Sequence, residues 1–288
     1  MRIAISGATG FVGRHLTKAF VGRGWSVTPL GREDFRIPEE DLARKLEGVD
    51  VLVNLAGAPV ASRWTEEYKK NLRSSRIDTT RKIVGALGLA TRKPRLFVST
   101  SAIGIYDTRG EYTEENAVYA DDFLGRLAAD WEAEAKRAEP LGIRTVIFRF
   151  GIVLGGAGGA LEKMLIPFRM GLGGVIGDGR QPFSWVHIED LTRAYLSVIE
   201  NEALSGTFNL TAPTPTTNEG LTRALAKALH RPAFLRVPAF VLRLQFGEGA
   251  KVLMEGQRVL PERLLKSGFV FRFSTIEEAL SDLIGGQR

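Results

Sequence analysis

Five short runs of apolar, often β-branched residues recur through the first half of the chain, at 2–6, 26–30, 51–55, 96–100 and 145–149. Near-continuous hydrophobicity of this kind marks parallel strands covered on both faces. Helical patterns separate them at 12–23, 66–85 and 124–138, the last with Leu124, Leu127, Ala128, Trp131 and Ala135 on one apolar stripe. Strands alternating with helices predict βαβ crossovers and an α/β fold with a doubly wound parallel sheet. After Arg149 the texture changes. Residues 151–179 are glycine-rich around a helical patch at 160–170 and read as a loop-and-helix insertion. Strand-like runs return at 184–188 and 207–210. Thr216, with Glu219 three residues on, then predicts a capped helix through Leu221, Leu225, Ala228 and Leu229. Residues 234–246, rich in leucine and valine, read as a packed or lid-forming helix. The expected organisation is a first domain over 1–155, rejoined by 184–212, and a smaller interleaved lobe from 156–183 and 213–288.

Gly7-Ala8-Thr9-Gly10-Phe11-Val12-Gly13 lies between the first strand and the first helix. In that position Gly7 permits a tight turn, Gly10 lets backbone approach a pyrophosphate, and Gly13 lets helix and strand pack closely. The free N–H groups and positive dipole end of the helix complete an anion site. This is the fingerprint of a Rossmann dinucleotide domain. Near the end of the second strand, about 20 residues beyond the glycines, a side chain reads the adenosine ribose. The residues there are Leu30-Gly31-Arg32. A guanidinium suits a 2′-phosphate, which it can bind with two parallel hydrogen bonds. NADP(H) is therefore favoured over NAD, although Glu33 or Asp34 could take the ribose role instead.

Composition narrows the remaining classes. The 288 residues are 44% hydrophobic and 25% charged, enough apolar material for a sizeable core. No apolar run reaches the roughly 18 residues of a membrane span, and the N-terminus lacks the apolar core of a secretory signal. A soluble, cytoplasmic protein is expected. The absence of cysteine excludes disulfides, thiolate metal sites and cysteine nucleophiles. Three distant histidines make no zinc site, so no metal is expected. The net charge of +6 suits anionic small molecules. The basic residues are interspersed with acids, however, so neither nucleic acid nor membrane is an expected partner. The partner is a small-molecule substrate; oligomeric state stays open.

The GATGFVG loop, the run Asn54-Leu55-Ala56-Gly57 and the strand end Val98-Ser99-Thr100-Ser101-Ala102 resemble those of the extended short-chain dehydrogenase/reductases. The longer stretches RWTEEYKKNLRSSRIDTT (63–80), GGALEKMLIPFRMGLGG (158–174), GDGRQPFSWVHIEDL (177–191) and LMEGQRVLPERLLKSGFVFRF (253–273) are similar to one branch. That branch comprises NAD-dependent epimerase/dehydratase-like proteins of unassigned activity with a C-terminal domain of their own, here at about 236–283. The resemblance implies that Gly7, Thr9, Gly10, Phe11, Val12 and Gly13 surround the pyrophosphate. It places Gly31 and Arg32 at the adenosine phosphate, and Leu55, Ala56 and Gly57 along the cofactor. Arg76 and Ser99 become cofactor contacts, Val153 lies near the nicotinamide, and Ser101 matches the serine that hydrogen-bonds the reacting substrate oxygen.

The superfamily moves its proton with a tyrosine and a lysine four residues later on one helix. Tyr68, Tyr106, Tyr112, Tyr119 and Tyr195 are followed at that spacing by Leu72, Gly110, Asn116, Phe123 and Ile199. No pair exists, and the corresponding positions fall on Leu124 and Ala128. Sugar-nucleotide members commonly grip the diphosphate with an arginine where this chain has Phe183; Arg180, Arg169 and Lys163 are the nearby cations. His187 is a candidate replacement acid–base group, or else an ordered imidazole bonded to backbone or Asp190. A Ser101–His187–Asp190 hydrolase triad lacks the nucleophile-elbow context. Two functions remain. One is an NADP(H)-dependent oxidoreductase or epimerase acting on a small carbonyl or hydroxyl compound, a sugar nucleotide among the options. The other is a non-catalytic NADP(H)-binding sensor or scaffold, with a link to cell division permitted by the resemblance.

Overall fold

The computed structural model describes residues 1–156 and 158–285; residues 157 and 286–288, which the expected second lobe includes, lie outside the described residues. Six strands form the central sheet: β1 (Arg2–Ser6), β2 (Ser26–Leu30), β3 (Val51–Asn54), β4 (Leu96–Ala102), β5 (Arg144–Phe150) and β6 (Gly206–Leu210). All pair in parallel, in the order β6-β5-β4-β3-β1-β2. Alternation along each strand explains the two helical layers. Ile3, Ile5, Val51, Val53, Val98, Val146 and Phe148 point into one core. That core is closed by α1 (Phe11–Gly22) and by the helix at Ile188–Glu200. Ala4, Leu52, Phe97 and Ile147 point into the other. There they meet α2 (Glu39–Leu46), α4 (Thr79–Leu89) and α5 (Phe123–Lys136), with α3 (Glu66–Arg73) preceding α4. The chain leaves β1 for β2 on one side and β3 on the other. This reversal of winding opens a crevice at the carboxyl ends of β1 and β3, where open α/β sheets bind ligands.

The second lobe has its own core. It joins α6 (Gly159–Arg169), α8 (Asn218–Leu229) and the last helix, Ile276–Gly285, through Leu161, Leu165, Phe168, Leu221, Leu225, Leu280 and Leu283. The helix between them, Ile188–Glu200, is α7. Its buried Asp190 accepts the backbone N–H groups of Arg272 (2.8 Å) and Phe273 (2.9 Å), pinning the C-terminal segment to the first domain. A second tie is the parallel pairing of Arg258–Val259 with Glu111–Tyr112. Among the described residues no helix is long and apolar enough to cross a membrane.

Three local expectations are corrected. The continuous helix over 66–85 is interrupted by a π-helical turn, Ser74–Asp78, between α3 and α4. Thr217 rather than Thr216 caps α8, its hydroxyl accepting the Gly220 N–H at 3.1 Å. Residues 234–246 form a short strand (Leu235–Val237) and then α9 (Ala239–Phe246), which is not packed as expected: Leu242 is its one buried side chain, and Phe240 and Leu244 are 69% and 77% exposed.

Candidate functional site

A cavity of about 520 Å³ occupies the switch-point crevice and runs beneath the second lobe. Its first wall is backbone. Gly7 turns at φ +70°, and a Cβ there would sit 2.9 Å from the Leu55 carbonyl oxygen. A Cβ on Gly13 would lie 2.3 Å from the Gly7 carbonyl oxygen, so only glycine lets α1 pack this tightly against the loop. Gly10 is the N-cap of α1, with no capping side chain and no acid in the first turn. The free N–H groups and dipole of the helix thus face the cavity without a resident anion.

Arg76 forms the opposite wall, carried inward by the π-helical turn, a feature frequent at functional sites. Its guanidinium is buried, packed beside Gly57 and over the Trp131 ring at 5.3 Å. It donates to the Ala58 (2.9 Å) and Leu72 (3.3 Å) carbonyls, and among the described residues no carboxylate pairs with it. Burial lowers its pKa to about 10, so it stays protonated at neutral pH. A buried cation without a counterion is costly unless an anion joins it. The helix N-terminus, the glycine cradle and this charge together fit a dinucleotide.

At the adenosine end, Asp34 is buried and accepts the Gly31 N–H (2.7 Å) and the Lys45 ammonium (2.5 Å). One acceptor site on each Asp34 oxygen is thereby occupied. Glu33 folds back against Gly31. Arg32 is exposed, and its side chain makes no hydrogen bond or ion pair among the described residues.

The chemistry end is organised by α5. Leu124 and Ala128 line the cavity, and one further turn along the same helix face stands Glu132. Ser101, at the end of β4, lines the cavity and donates its hydroxyl hydrogen to Glu132 Oε1 at 2.8 Å. Arg149 closes a bidentate pair with the same carboxylate, Nε to Oε1 at 2.7 Å and Nη2 to Oε2 at 2.8 Å. Burial works against the charge of Arg149, but the Glu132 carboxylate outweighs it and holds the guanidinium above its ordinary value. Arg149 also donates to the Tyr106 hydroxyl (2.7 Å), which donates to Asn209 Oδ1 (2.7 Å). Burial pushes the Tyr106 phenol up to about 12. Ser101 can accept from a ligand hydroxyl while its hydrogen stays on Glu132; to bind a carbonyl oxygen, that one hydrogen turns from Glu132 to the ligand.

Across the cavity stands Lys251, from the helix Lys251–Met254. It donates to Asp122 Oδ2 at 2.6 Å and lies 3.5 Å from Glu255. The Asp122 bond raises the lysine above its usual value. Burial alone would raise Asp122, but the Gly125 N–H and Lys251 leave its carboxyl lowered.

Residues 3–211 match the family model of the NAD dependent epimerase/dehydratase family, and residues 237–283 match a domain of unknown function, DUF1731. The chain belongs to the NAD dependent epimerase/dehydratase family. It is 38% identical over 302 residues to the epimerase family protein YfhF of Bacillus subtilis, covering 100% of this chain and 99% of that protein. The human epimerase family protein SDR39U1, solved with NADPH, superposes with a TM-score of 0.90 at 35% identity, over 99% of both chains. A nucleoside-diphosphate sugar epimerase from Corynebacterium glutamicum matches at TM-score 0.80 and 30% identity, over 99% of this chain and 58% of that one. The family and the six-stranded parallel sheet make this an NAD(P)-binding fold.

Within this family member, the structure brings Gly7, Gly10, Phe11, Val12, Gly13, Leu55, Gly57, Arg76 and Ser101 together around one cavity. Thr9, Ala56, Ser99 and Val153 are not among its lining residues. Thr9 is exposed, and its carbonyl accepts from Arg14 at 2.7 Å. The Ala56 N–H is held by Ser6 Oγ at 3.2 Å. Ser99 is buried with a hydroxyl that finds no partner among the described residues. Val153 pairs with Val186 beside the lining residue Ile152. His187 does not face the cavity. Its Nδ1 accepts the Glu189 N–H at 3.1 Å as the N-cap of α7, and its ring stacks on Phe273 with centroids 3.8 Å apart. Its Nε2 lies 3.3 Å from Asp282 without hydrogen-bond geometry, and burial lowers its pKa. Of the two readings of His187, the structure supports the ordered imidazole bonded to backbone, and the replacement acid–base role is corrected. Glu132, Arg149, Asp122 and Lys251 were not identified from sequence. Glu132 alone left a signal, being eight residues beyond Leu124 on the helix face already singled out.

Proposed function

We propose that the protein binds NADP(H) and works as an oxidoreductase or epimerase-type enzyme on a small carbonyl or hydroxyl compound. The observation that carries this reading is Ser101, fixed by a buried carboxylate, in the same cavity as a glycine cradle and a buried cation that lacks a counterion. Gly7, Gly10, Gly13 and the α1 N-terminus hold the pyrophosphate, Arg32 holds the 2′-phosphate, and Arg76 supplies positive charge from across the cavity. When bound there, the cofactor supplies or accepts a hydride. Ser101 positions the substrate oxygen, and Glu132 orients Ser101. Leu124 and Ala128 offer no proton, so the proton gained by the oxygen on reduction, or lost on oxidation, is exchanged with water. The test is Ser101→Ala in a nicotinamide absorbance assay against fractionated small-molecule extracts, beside wild type. Turnover should be abolished with NADPH affinity within about twofold; unchanged turnover removes Ser101 from the mechanism.

The apolar wall at Leu124 and Ala128 favours a second reading, a non-catalytic sensor of the cofactor's redox state. A sensor must bind NADPH and NADP⁺ with different affinities. Equal dissociation constants by titration calorimetry exclude that form of it.

A further inference from the structure

The cavity continues beyond the glycine cradle, and that far end differs in chemistry. Its walls are Met164, Ile176, Pro182, Phe183 and Leu253, contributed by the second lobe and the C-terminal segment, whereas Val252 packs beside Leu124 and Trp131, nearer Arg76. The polar side chains beside them are neutral and partly engaged, with the Asn218 amide nitrogen, the Gln181 Oε1 and the Gln257 amide left to meet one substrate oxygen. Asn218 Oδ1 accepts the Ile176 N–H (2.8 Å), and Gln181 donates to the Ile176 carbonyl (3.2 Å). Ser184 donates to the Gln257 carbonyl (2.8 Å) and accepts the Val259 N–H (3.0 Å). Among the described lining residues the only cations are Arg76, placed beside Gly57, and Lys251. Lys251 lies between Asp122 and Glu255, so this cluster of two carboxylates and one ammonium is net negative and repels a diphosphate. Arg169, Arg180 and Lys163 do not line the cavity.

We propose that the far end takes a neutral, mainly apolar carbonyl compound or the matching alcohol, rather than a nucleotide sugar. The apolar body lies against Met164, Phe183 and Leu253, and the oxygen reaches Ser101. This rests on the reading of the glycine-loop end as the NADP(H) site. Burial of an apolar chain makes a graded prediction. Each methylene removed from water is worth about 0.8 kcal/mol, so affinity should tighten about fourfold per added carbon while the chain remains inside the cavity.

The experiment titrates the NADPH-saturated full-length protein with straight-chain 2-ketones from 2-pentanone to 2-nonanone, and with UDP and UDP-glucose, by calorimetry. A Kd that falls stepwise along the ketone series, with no heat from UDP or UDP-glucose, is the expected result. A flat series, no ketone binding, or UDP-glucose binding tighter than every ketone overturns the proposal. Leu253→Asp and Met164→Glu, on two separate elements, place a charge in the same apolar end. Each should weaken 2-nonanone at least tenfold and leave NADPH affinity unchanged. Undiminished ketone binding in both variants, with native circular dichroism, overturns the assigned location. The ketone series is also titrated without cofactor. Failure of NADPH to bind would therefore sink the cofactor reading alone, while the far end is still judged by its own probe.

Discussion

Two buried arginines in the same fold make opposite arrangements. Arg149 is closed into a bidentate pair with Glu132, and that carboxylate also accepts from Ser101. Arg76 has carbonyls, a tryptophan face and no carboxylate. The first charge is neutralised inside the protein and serves the scaffold. The second lines the cavity with its charge unanswered, which is how a protein prepares for an anionic ligand. Position in the sheet gives the same division. Arg149 lies on β5 beside its register partner Ser101, whereas Arg76 hangs from a π-helical turn facing the switch-point crevice.

The comparison is broken most forcefully from the Glu132 side. Glu132→Gln keeps the shape and an acceptor for Ser101 but strands the buried charge of Arg149. Breaking one side of a buried pair costs about 3–5 kcal/mol. Urea denaturation should show that loss; a stability change under 1 kcal/mol would mean that the pair is not a scaffold. Arg76→Met should behave in the contrary way. The apo protein should hold or gain stability, because an uncompensated buried charge is removed. NADPH affinity should fall about 10- to 100-fold, in keeping with about 1.5–3 kcal/mol for a hydrogen bond to a charged group. Loss of stability with unaltered NADPH affinity would make Arg76 structural and dissolve the contrast.

A smaller effect is expected at the exposed third arginine. Arg32→Ala should weaken NADPH about tenfold, the size of one charge-assisted contact, and leave NADH unchanged. Titrations of both cofactors by fluorescence measure the ratio. An equal loss for both would show that Arg32 does not read the 2′-phosphate.

What sequence could reveal depended on the range of the interaction. The six strands of the central sheet and the glycine loop were legible because their signals are local: apolar runs over a few residues, and three glycines set between a strand and a helix. The π-helical turn at Ser74–Asp78 was not legible, since helix-forming residues carry no mark that separates one hydrogen-bond spacing from the next. Pairings across distance were also hidden. Ser101 and Glu132 are 31 residues apart, and Lys251 and Asp122 are 129 apart, so only the folded sheet and the returning C-terminal segment bring them together. His187 failed for a further reason. Proximity in sequence to Trp185 and Asp190 suggested a site, but the strand ends at His187, its Nδ1 caps the next helix, and the ring does not line the cavity.

That helix start yields the smallest effect, and it separates a structural histidine from a catalytic one. Burial depresses the His187 pKa below its ordinary 6.5, against the raising influence of Asp282, Asp190 and Glu189. Below about pH 6.5 the unfolded chain therefore binds a proton that the folded chain resists, and unfolding gains from it. Stability contributed by neutral His187 is complete above that pH and is lost as pH falls toward the folded-state pKa. Protonation also removes the Nδ1 lone pair that accepts the Glu189 N–H. His187→Asn retains an N-cap acceptor and deletes the titration. Wild type should lose more stability than the variant between pH 7.5 and pH 5.5 in thermal unfolding, while NADPH affinity responds alike in both. A parallel pH dependence would show that His187 takes up its proton at the same pH in the folded and unfolded chain, and the cap would then be a matter of shape alone.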